Sequence, residues 1–141
     1  MAVINLTTSQ GGVASLPYKG ENKILRCDIT VDCAVNNIGS TDTAKLFFLP
    51  AYTKPLLASC RVITAEGGTA TADLGITGGI VDALLDGVNL NSVGISDTQS
   101  SGSSLGELAI QTSDYYLSLL ANNALDAAKF TITVFVLDFR T

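Results

Sequence analysis

The stretch KFTITVFVLDF, from Lys129 to Phe139, carries the strongest β-strand pattern in the sequence. Most of its residues are β-branched or aromatic, the types that are enriched in strands. Phe135, Leu137 and Phe139 share one face. The opposite face carries a second apolar row, formed by Phe130, Ile132, Val134 and Val136. This pattern predicts a central strand that is paired on both sides and covered on both faces.

Two more stretches alternate with the same period of two. In ILRCDITVDCAV (Ile24–Val35), apolar residues alternate with Asp28, Thr30 and Asp32 from Cys27 onward. In TATADLGI (Thr69–Ile76), alanine, leucine and isoleucine alternate with threonine and aspartate. Each pattern predicts a strand with one buried and one wet face. The two acids of the first strand either solvate the sheet or meet a basic neighbour across a subunit boundary.

Weaker strand patterns surround these three, separated by glycine-, asparagine- and serine-rich breakers. They are Val3–Leu6, Lys45–Leu49, Leu56–Ala65, Leu108–Ile110 and Tyr115–Ala121. About eight short strands with frequent turns predict an all-β fold, an antiparallel β-sandwich or a barrel. The segment IVDALLDGV adds at most one or two short helical turns. There, Val81, Leu84, Leu85 and Val88 would share a helical face, and Gly87 would cap the end.

The chain length of 141 residues fits a single domain. Residues 7–23, TTSQGGVASLPYKGENK, are polar and contain glycine and proline. We therefore expect residues 1–23 to form an N-terminal arm with a possible first strand, and residues 24–141 to form the β-sandwich domain. The serine-rich stretch from Ser96 to Gly106 is expected to be a flexible surface loop.

Charge and composition favour an oligomer and argue against binding to nucleic acid or insertion into a membrane. Only 15% of residues are charged while 47% are apolar, so a monomer has few polar groups to cover its surface, and oligomerisation is expected. The net charge is −5 without a basic stripe, which argues against direct nucleic-acid binding. The N-terminus lacks a signal-peptide pattern, and the longest apolar run is too short to span a bilayer. We expect a protein made in a cytoplasm without a membrane partner.

Few residues suit catalysis or metal binding. The sequence contains no histidine, which removes the commonest general base and zinc ligand. The three cysteines, Cys27, Cys33 and Cys60, are expected to be free and buried. Asp82 and Asp86, with Asp73, either bind a hard cation or are solvated surface acids. No phosphate loop is present. We expect no catalytic residue, no metal and no cofactor, as in a structural protein rather than an enzyme.

The region from Thr41 to Leu90 resembles small virion proteins of tailed phages. The shared patterns are D-x-x-x-L-F-x-L-P-A, A-T-x-D-L-G-x and D-x-x-x-D-G-x-x-L. Here they begin at Asp42, Ala70 and Asp82, and an apolar strand from Leu56 to Thr64 lies between the first two. The chain thus resembles the capsid cement (decoration) proteins and related head structural proteins. It departs from them at Tyr52-Thr53-Lys54-Pro55, where relatives more often have a small turn with glycine or alanine.

The resemblance implies a jelly-roll-like β-sandwich that forms a homo-oligomer, a trimer, on the phage major capsid protein. The implied location is the capsid surface of the virion, and the implied function is to stabilise the assembled shell. A head-fibre base, tail or adaptor protein is the alternative within the virion. A carbohydrate-binding or metal-dependent β-sandwich module is the alternative from another class.

The segment TAKLFFLPAYTKPLLASCRV (Thr43–Val62) supplies the candidate contact residues. Pro50 and Pro55 cannot donate ladder hydrogen bonds, so we expect them to end the first strand and to delay the second until about Leu56. The tip between the two strands is a candidate contact with another subunit or the capsid. These candidate contacts are Ala51, Tyr52, Thr53 and Lys54, together with Tyr18 in the arm.

Overall fold

The protein folds into two β-sheets. A computed structural model describes residues 1–6, 23–98 and 108–140. Within these residues lie nine strands and no helix: β1 (Val3–Asn5), β2 (Lys23–Asp32), β3 (Thr43–Leu49), β4 (Thr53–Thr64), β5 (Thr71–Ile76), β6 (Leu85–Asn89), β7 (Gly94–Asp97), β8 (Tyr115–Ala121) and β9 (Lys129–Asp138). The all-β prediction is confirmed. The expected arm is described at residues 1–6, where β1 forms, and at Lys23, which begins β2.

The strand order identifies the sandwich as a jelly roll. One sheet has the order β1-β3-β8-β5-β6, and the other has the order β2-β9-β4-β7. Apart from β1, which runs parallel to β3, all pairings are antiparallel. The pairs β2–β9, β3–β8, β4–β7 and β5–β6 nest inside one another along the chain. Such nesting is a long antiparallel hairpin wrapped into two sheets, which is jelly-roll topology.

Strand β9 is central in the four-stranded sheet, as its sequence predicts. It pairs with β2 from Lys129 to Asp138 and with β4 on its other side. Its inner row, Phe130, Ile132, Val134 and Val136, is fully buried between the sheets. The outer row is not covered by another layer, because Phe135 and Leu137 remain partly exposed. The prediction that both faces are covered is therefore wrong for the isolated chain.

The two inner faces form one continuous core. Its largest fully buried side chains are Phe47 of β3 and Phe130 of β9, one from each sheet. The three cysteines also lie in this core and are free thiols, as predicted. Burial of this apolar surface is the main favourable contribution to stability.

The predicted helical turns at IVDALLDGV are wrong. Residues 81–84 form turns and bends, and Leu85 starts strand β6. In the pairing of β5 with β6, β5 supplies a single residue, Asp73, where β6 supplies two, Asp86 and Gly87. Strand β6 therefore bulges at this point. Gly87 has a φ of 64°, and its N–H donates to Asp73 Oδ1 at 2.6 Å. The bulge lets Leu85 and Val88, three residues apart, both be buried, which mimics helical spacing in the sequence.

Two further strand predictions differ from the structure. Leu108–Ile110 is not a strand, since only the following Gln111 makes a single bridge, to Thr53. Strand β3 ends before Pro50 as predicted, but β4 starts at Thr53 and includes Pro55. Strand β7 pairs only with residues 59–62 of β4, so β4 has an open side at Pro55, where a missing N–H is tolerated.

The expected loop from Ser96 to Gly106 starts later than predicted. Ser96 and Asp97 belong to β7. Thr98 is buried, and its hydroxyl accepts a hydrogen bond from Ala58 N at 2.8 Å. Residues 99–106 of the expected loop lie outside the described residues. Among the strands and turns that the structure describes, there is no helix long and apolar enough to cross a membrane.

Candidate interface surfaces

The candidate contact residues lie where the chain changes sheets. Strand β3 belongs to the five-stranded sheet and β4 to the four-stranded sheet, so residues 50–52 form a corner between sheets, named here the β3–β4 turn. Thr53 follows the turn and is fully buried. Its hydroxyl lies 2.7 Å from Pro50 O and 2.8 Å from Tyr115 OH. Thr53 therefore fixes the turn from inside and is not on the surface of the isolated chain.

Tyr52 is the exposed residue of the β3–β4 turn. Its side chain is 56% exposed, and its φ is 64°, in the left-handed region that non-glycine residues rarely adopt. Its N–H donates to Gln111 O at 2.7 Å, and its carbonyl accepts from Phe139 N at 3.0 Å. These two bonds hold an exposed aromatic residue in a costly backbone conformation, the kind of strain that clusters at functional positions.

The remaining candidate residues are partly exposed or outside the described residues. Ala51 and Lys54 are partly exposed, and Ala51 N donates to Asp114 Oδ1 at 2.9 Å. Tyr18 lies outside the described residues. The structure thus brings Ala51, Tyr52 and Lys54 together at the surface of one corner, and their contact role stays a prediction.

One end of the outer face of the four-stranded sheet is apolar. Leu57 faces Phe135 in register, and Leu137 lies between Ile24 and Lys54 in the adjacent row. Ile24 is 62% exposed and Leu57 is 44% exposed. We name this surface the apolar patch; it consists of Ile24, Leu57, Phe135 and Leu137. Lys54, a predicted contact, borders it, so the patch continues the corner that carries Tyr52.

The other end of the same outer face is polar on β2 and β9, while Ile95 is exposed on the edge strand β7. Thr133 Oγ1 donates to Asp28 Oδ1 at 2.6 Å, and the hydroxyls of Thr30 and Thr131 lie 2.9 Å apart. Asp28 also forms an ion pair with Arg26 at 2.9 Å. The polar side chains of this half are well solvated by water. Covering the apolar patch with a partner, in contrast, lowers the free energy of the system.

The outer face of the five-stranded sheet carries an apolar cavity of about 370 Å³, named here the edge cavity. Its lining is almost entirely apolar and comes from Met1, Val3, Thr43, Thr77, Gly78, Val81, Ser118 and Leu120. Gly75 allows the 77–84 segment to lie across this sheet, since a Cβ at position 75 would overlap the carbonyl oxygen of Ile80. That crossing segment forms one wall, and β1 forms the opposite wall.

The thiols are poor nucleophiles in this fold. Burial, helped by Asp28, raises the pKa of Cys27 to about 11. Burial also raises the pKa of Cys33 and of Cys60 to about 12. Because the thiolate is the reactive form, these three side chains act as small core residues.

The acids do not form a metal site in the described part of the chain. No group of three or more histidine, cysteine, aspartate or glutamate side chains there is placed to hold a metal ion. Asp73 instead accepts hydrogen bonds from Gly87 N and from the side-chain amide of Asn122, and so stabilises the bulge of β6. Sequence reasoning named these acids but had no signal for this structural role.

Comparisons with known proteins give fold neighbours only. No family model matches the sequence, and no curated protein matches it. The first of three solved structures is the capsid of Ralstonia phage GP4, where one chain matches with a TM-score of 0.66 and 19% identity, over 99% of this chain and 100% of that one. A chain of the acidic stable capsid of Helicobacter pylori bacteriophage KHP30 matches with a TM-score of 0.61 and 14% identity. The match covers 87% of this chain and 94% of that one. A chain of the cyanophage Pam1 capsid matches with a TM-score of 0.56 and 15% identity, over 86% of this chain and 90% of that one.

This chain has the fold of proteins found in phage capsids. Each likeness covers nearly the whole of both chains, so each neighbour is a protein of similar length and not one domain of a much larger chain. The jelly roll expected from the resemblance is therefore present both in this chain's topology and in its structural neighbours.

Proposed function

We propose that this chain is a structural protein of a phage virion that binds the outside of the assembled capsid as a homotrimer and stabilises the shell. The observation that carries the proposal is the end-to-end likeness to a chain of the Ralstonia phage GP4 capsid. The proposal assigns no catalytic step to any residue. Two observations agree with this: the three thiols are buried, and Asp73 binds backbone and side-chain donors.

The apolar patch is the surface that we assign to the shell. Its four side chains lie on an outer sheet face, and Ile24 and Leu57 are substantially exposed. An apolar surface with two basic residues, Lys54 and Arg26, at its border suits a partner with apolar side chains and acidic groups around them. The remaining half of the face, with its paired acids and hydroxyls, stays in water.

Stabilisation follows from mass action. A ligand that binds only the assembled shell lowers the free energy of that state and not of the free subunits. A trimer with three copies of the same patch adds avidity, since the second and third contacts form within one complex. Weak individual contacts therefore suffice to hold the protein on the shell.

The test uses purified protein and capsid shells of the parent phage that lack it. We expect light scattering to give three times the 14.6 kDa chain mass, and we expect the protein to sediment with the shells and raise their melting temperature. A monomer that does not sediment with shells would contradict the proposal. Binding confined to one vertex or to tails would instead favour a head-fibre base, tail or adaptor protein.

A further inference from the structure

The edge cavity contains an unusual polar group. Thr77 lines the cavity, and its Oγ1 is buried without a hydrogen-bond partner among the described residues. Buried hydroxyls in folded proteins are nearly always paired, so an unpaired one calls for an explanation. Threonine has three staggered χ1 rotamers, so a partner with a polar tip can select one that directs this hydroxyl into the cavity. The cavity therefore suits a group with an apolar body and one polar atom at its end.

Tyrosine has this chemistry, and one tyrosine of the described chain is available. Tyr115 is buried and bonded to Thr53, and Tyr116 lies against Phe48 and beneath Lys45. Tyr52 is 56% exposed and is held in its strained conformation by Gln111 and Phe139. A volume of about 370 Å³ is large enough for an aromatic ring, since pockets for small molecules start at roughly 300 Å³.

Tyr52 cannot reach the edge cavity of its own chain. Thr43, at the first residue of β3, lines the cavity, whereas Tyr52 follows the last residue of β3. A seven-residue strand spans about 20 Å at roughly 3.3 Å per residue. The two features lie toward opposite ends of the molecule, so any contact between them joins two copies.

We propose that Tyr52 of one copy inserts into the edge cavity of the next copy, where its hydroxyl bonds Thr77. This inference rests on the proposed homo-oligomer and identifies its contact. The contact is heterologous, because the two copies use different surfaces, and heterologous contacts generate closed rings such as trimers. An aromatic anchor in an apolar pocket is also the usual centre of a protein interface. The proposal explains the strain at Tyr52 and the unpaired hydroxyl with one contact.

The first test joins the two surfaces chemically. A double variant, Ala51→Cys with Val81→Cys, keeps Tyr52 and places one thiol beside it at the turn and another at the cavity wall. The native thiols are buried with raised pKa values and do not compete. Treatment with a short bismaleimide should give a ladder of cross-linked chains that stops at the trimer. Each single variant should give no ladder, and neither should Ala51→Cys with Ile95→Cys, since Ile95 is exposed on the distant strand β7.

The second test removes the aromatic ring of Tyr52, and then the hydroxyls of Tyr52 and Thr77 separately. Tyr52→Ala should raise the trimer dissociation constant at least about 30-fold, as for an interface hot spot. Tyr52→Phe and Thr77→Val should each weaken the trimer by a smaller factor, and the double variant should be no weaker than the weaker single variant. Thr77→Val should leave the fold intact, because its Oγ1 has no partner in the isolated chain.

The outcomes separate this contact from the proposed function. A wild-type trimer that binds shells, with no ladder from the double variant and no effect of Tyr52→Ala, overturns the contact and leaves the function standing. If Leu120→Arg dissociates the trimer while Tyr52→Ala does not, another segment fills the cavity, and the Tyr52 proposal is overturned. A wild-type monomer that still binds shells overturns the contact and the trimer together.

Discussion

The hydroxyls of Thr53 and Tyr115 lie 2.8 Å apart and join the first residue of β4 in one sheet to the first residue of β8 in the other. This hydrogen bond is buried, and Thr53 also reaches Pro50 O across the β3–β4 turn. Tyr52 lies in the chain between Pro50 and Thr53, the two residues that this second hydrogen bond joins. The rigidity of the exposed tyrosine thus depends on a polar contact inside the core.

Thr53→Val should therefore destabilise the protein by about 1–3 kcal/mol, because it leaves a buried phenol without its partner. Tyr115→Phe should cost a similar amount, and the double variant less than the sum of the two, with a coupling of about 1 kcal/mol. Urea unfolding measures all three. Thr30→Val is the matched control, since it removes a hydroxyl pair on the outer sheet face and should change stability by less than about 0.5 kcal/mol. Strict additivity of the core variants would contradict the account.

Gly75→Ala should destabilise the protein by about 1–3 kcal/mol, since the new methyl group would overlap the backbone at Ile80 and Val81. It should also weaken the trimer, because the displaced segment forms a wall of the edge cavity. Gly79→Ala is the control in the same segment, where a Cβ would make only ordinary contact with Ile76. Equal stability of the two variants in urea would show that the segment does not depend on close approach at Gly75.

Glu66 gives the fold a pH dependence. Its carboxylate accepts hydrogen bonds from the backbone N–H groups of Asp126, Ala127 and Ala128 at 2.9, 3.0 and 2.7 Å. Burial raises the pKa of Glu66, but these bonds outweigh burial and leave its pKa lowered. A lowered pKa means that Glu66 stabilises the fold above the ordinary glutamate value of about 4.3, and that this contribution is lost as the pH falls through the folded-state pKa.

Glu66→Gln should thus lower the free energy of unfolding by about 1 kcal/mol near neutral pH. Its difference from wild type should shrink as the pH falls from about 5 to about 3. The Glu66 carboxylate raises the pKa of Asp126, which acts in the opposite direction, so both proteins should carry Asp126→Asn. Urea unfolding at a series of pH values gives the comparison. A difference that stays constant over this range would rule out the carboxylate as the source.

Leu57→Asp should abolish binding to shells while leaving the trimer mass and melting temperature nearly unchanged. The new carboxylate would be buried without a partner in the contact, which is costly, but stays in water on the free protein. Ile95→Asp is the matched control, because Ile95 is 73% exposed at the other end of the same sheet. Co-sedimentation with shells measures both. Equal binding of the two variants would place the shell contact elsewhere.

The sequence alone predicts the regular strands well. In β9 the alternation is unbroken, so its central position and inner row could be read directly from Phe130 to Val136. Leu85 and Val88 misled the same reasoning, because their burial on the same face depends on a bulge that Gly87 and Asp73 form across two strands. No local pattern reports such a register shift.

The candidate site could be predicted only in part. The tip at Ala51 to Lys54 was identified because two prolines bracket it, yet Thr53 points into the core. The left-handed conformation of Tyr52 has no sequence signature, because distant bonds to Gln111 and Phe139 impose it. The edge cavity combines residues from β1, β3, β8 and the segment after β5, which only the folded topology brings together.

Cryo-microscopy of the virion that carries this chain tests the central claim most directly. The account predicts jelly-roll density on the outer surface of the capsid, grouped in threes around local three-fold positions, with the apolar patch on the shell and Tyr52 at the contact between copies. Density for this chain only in the tail or at a single vertex, or in isolated monomers, would contradict it.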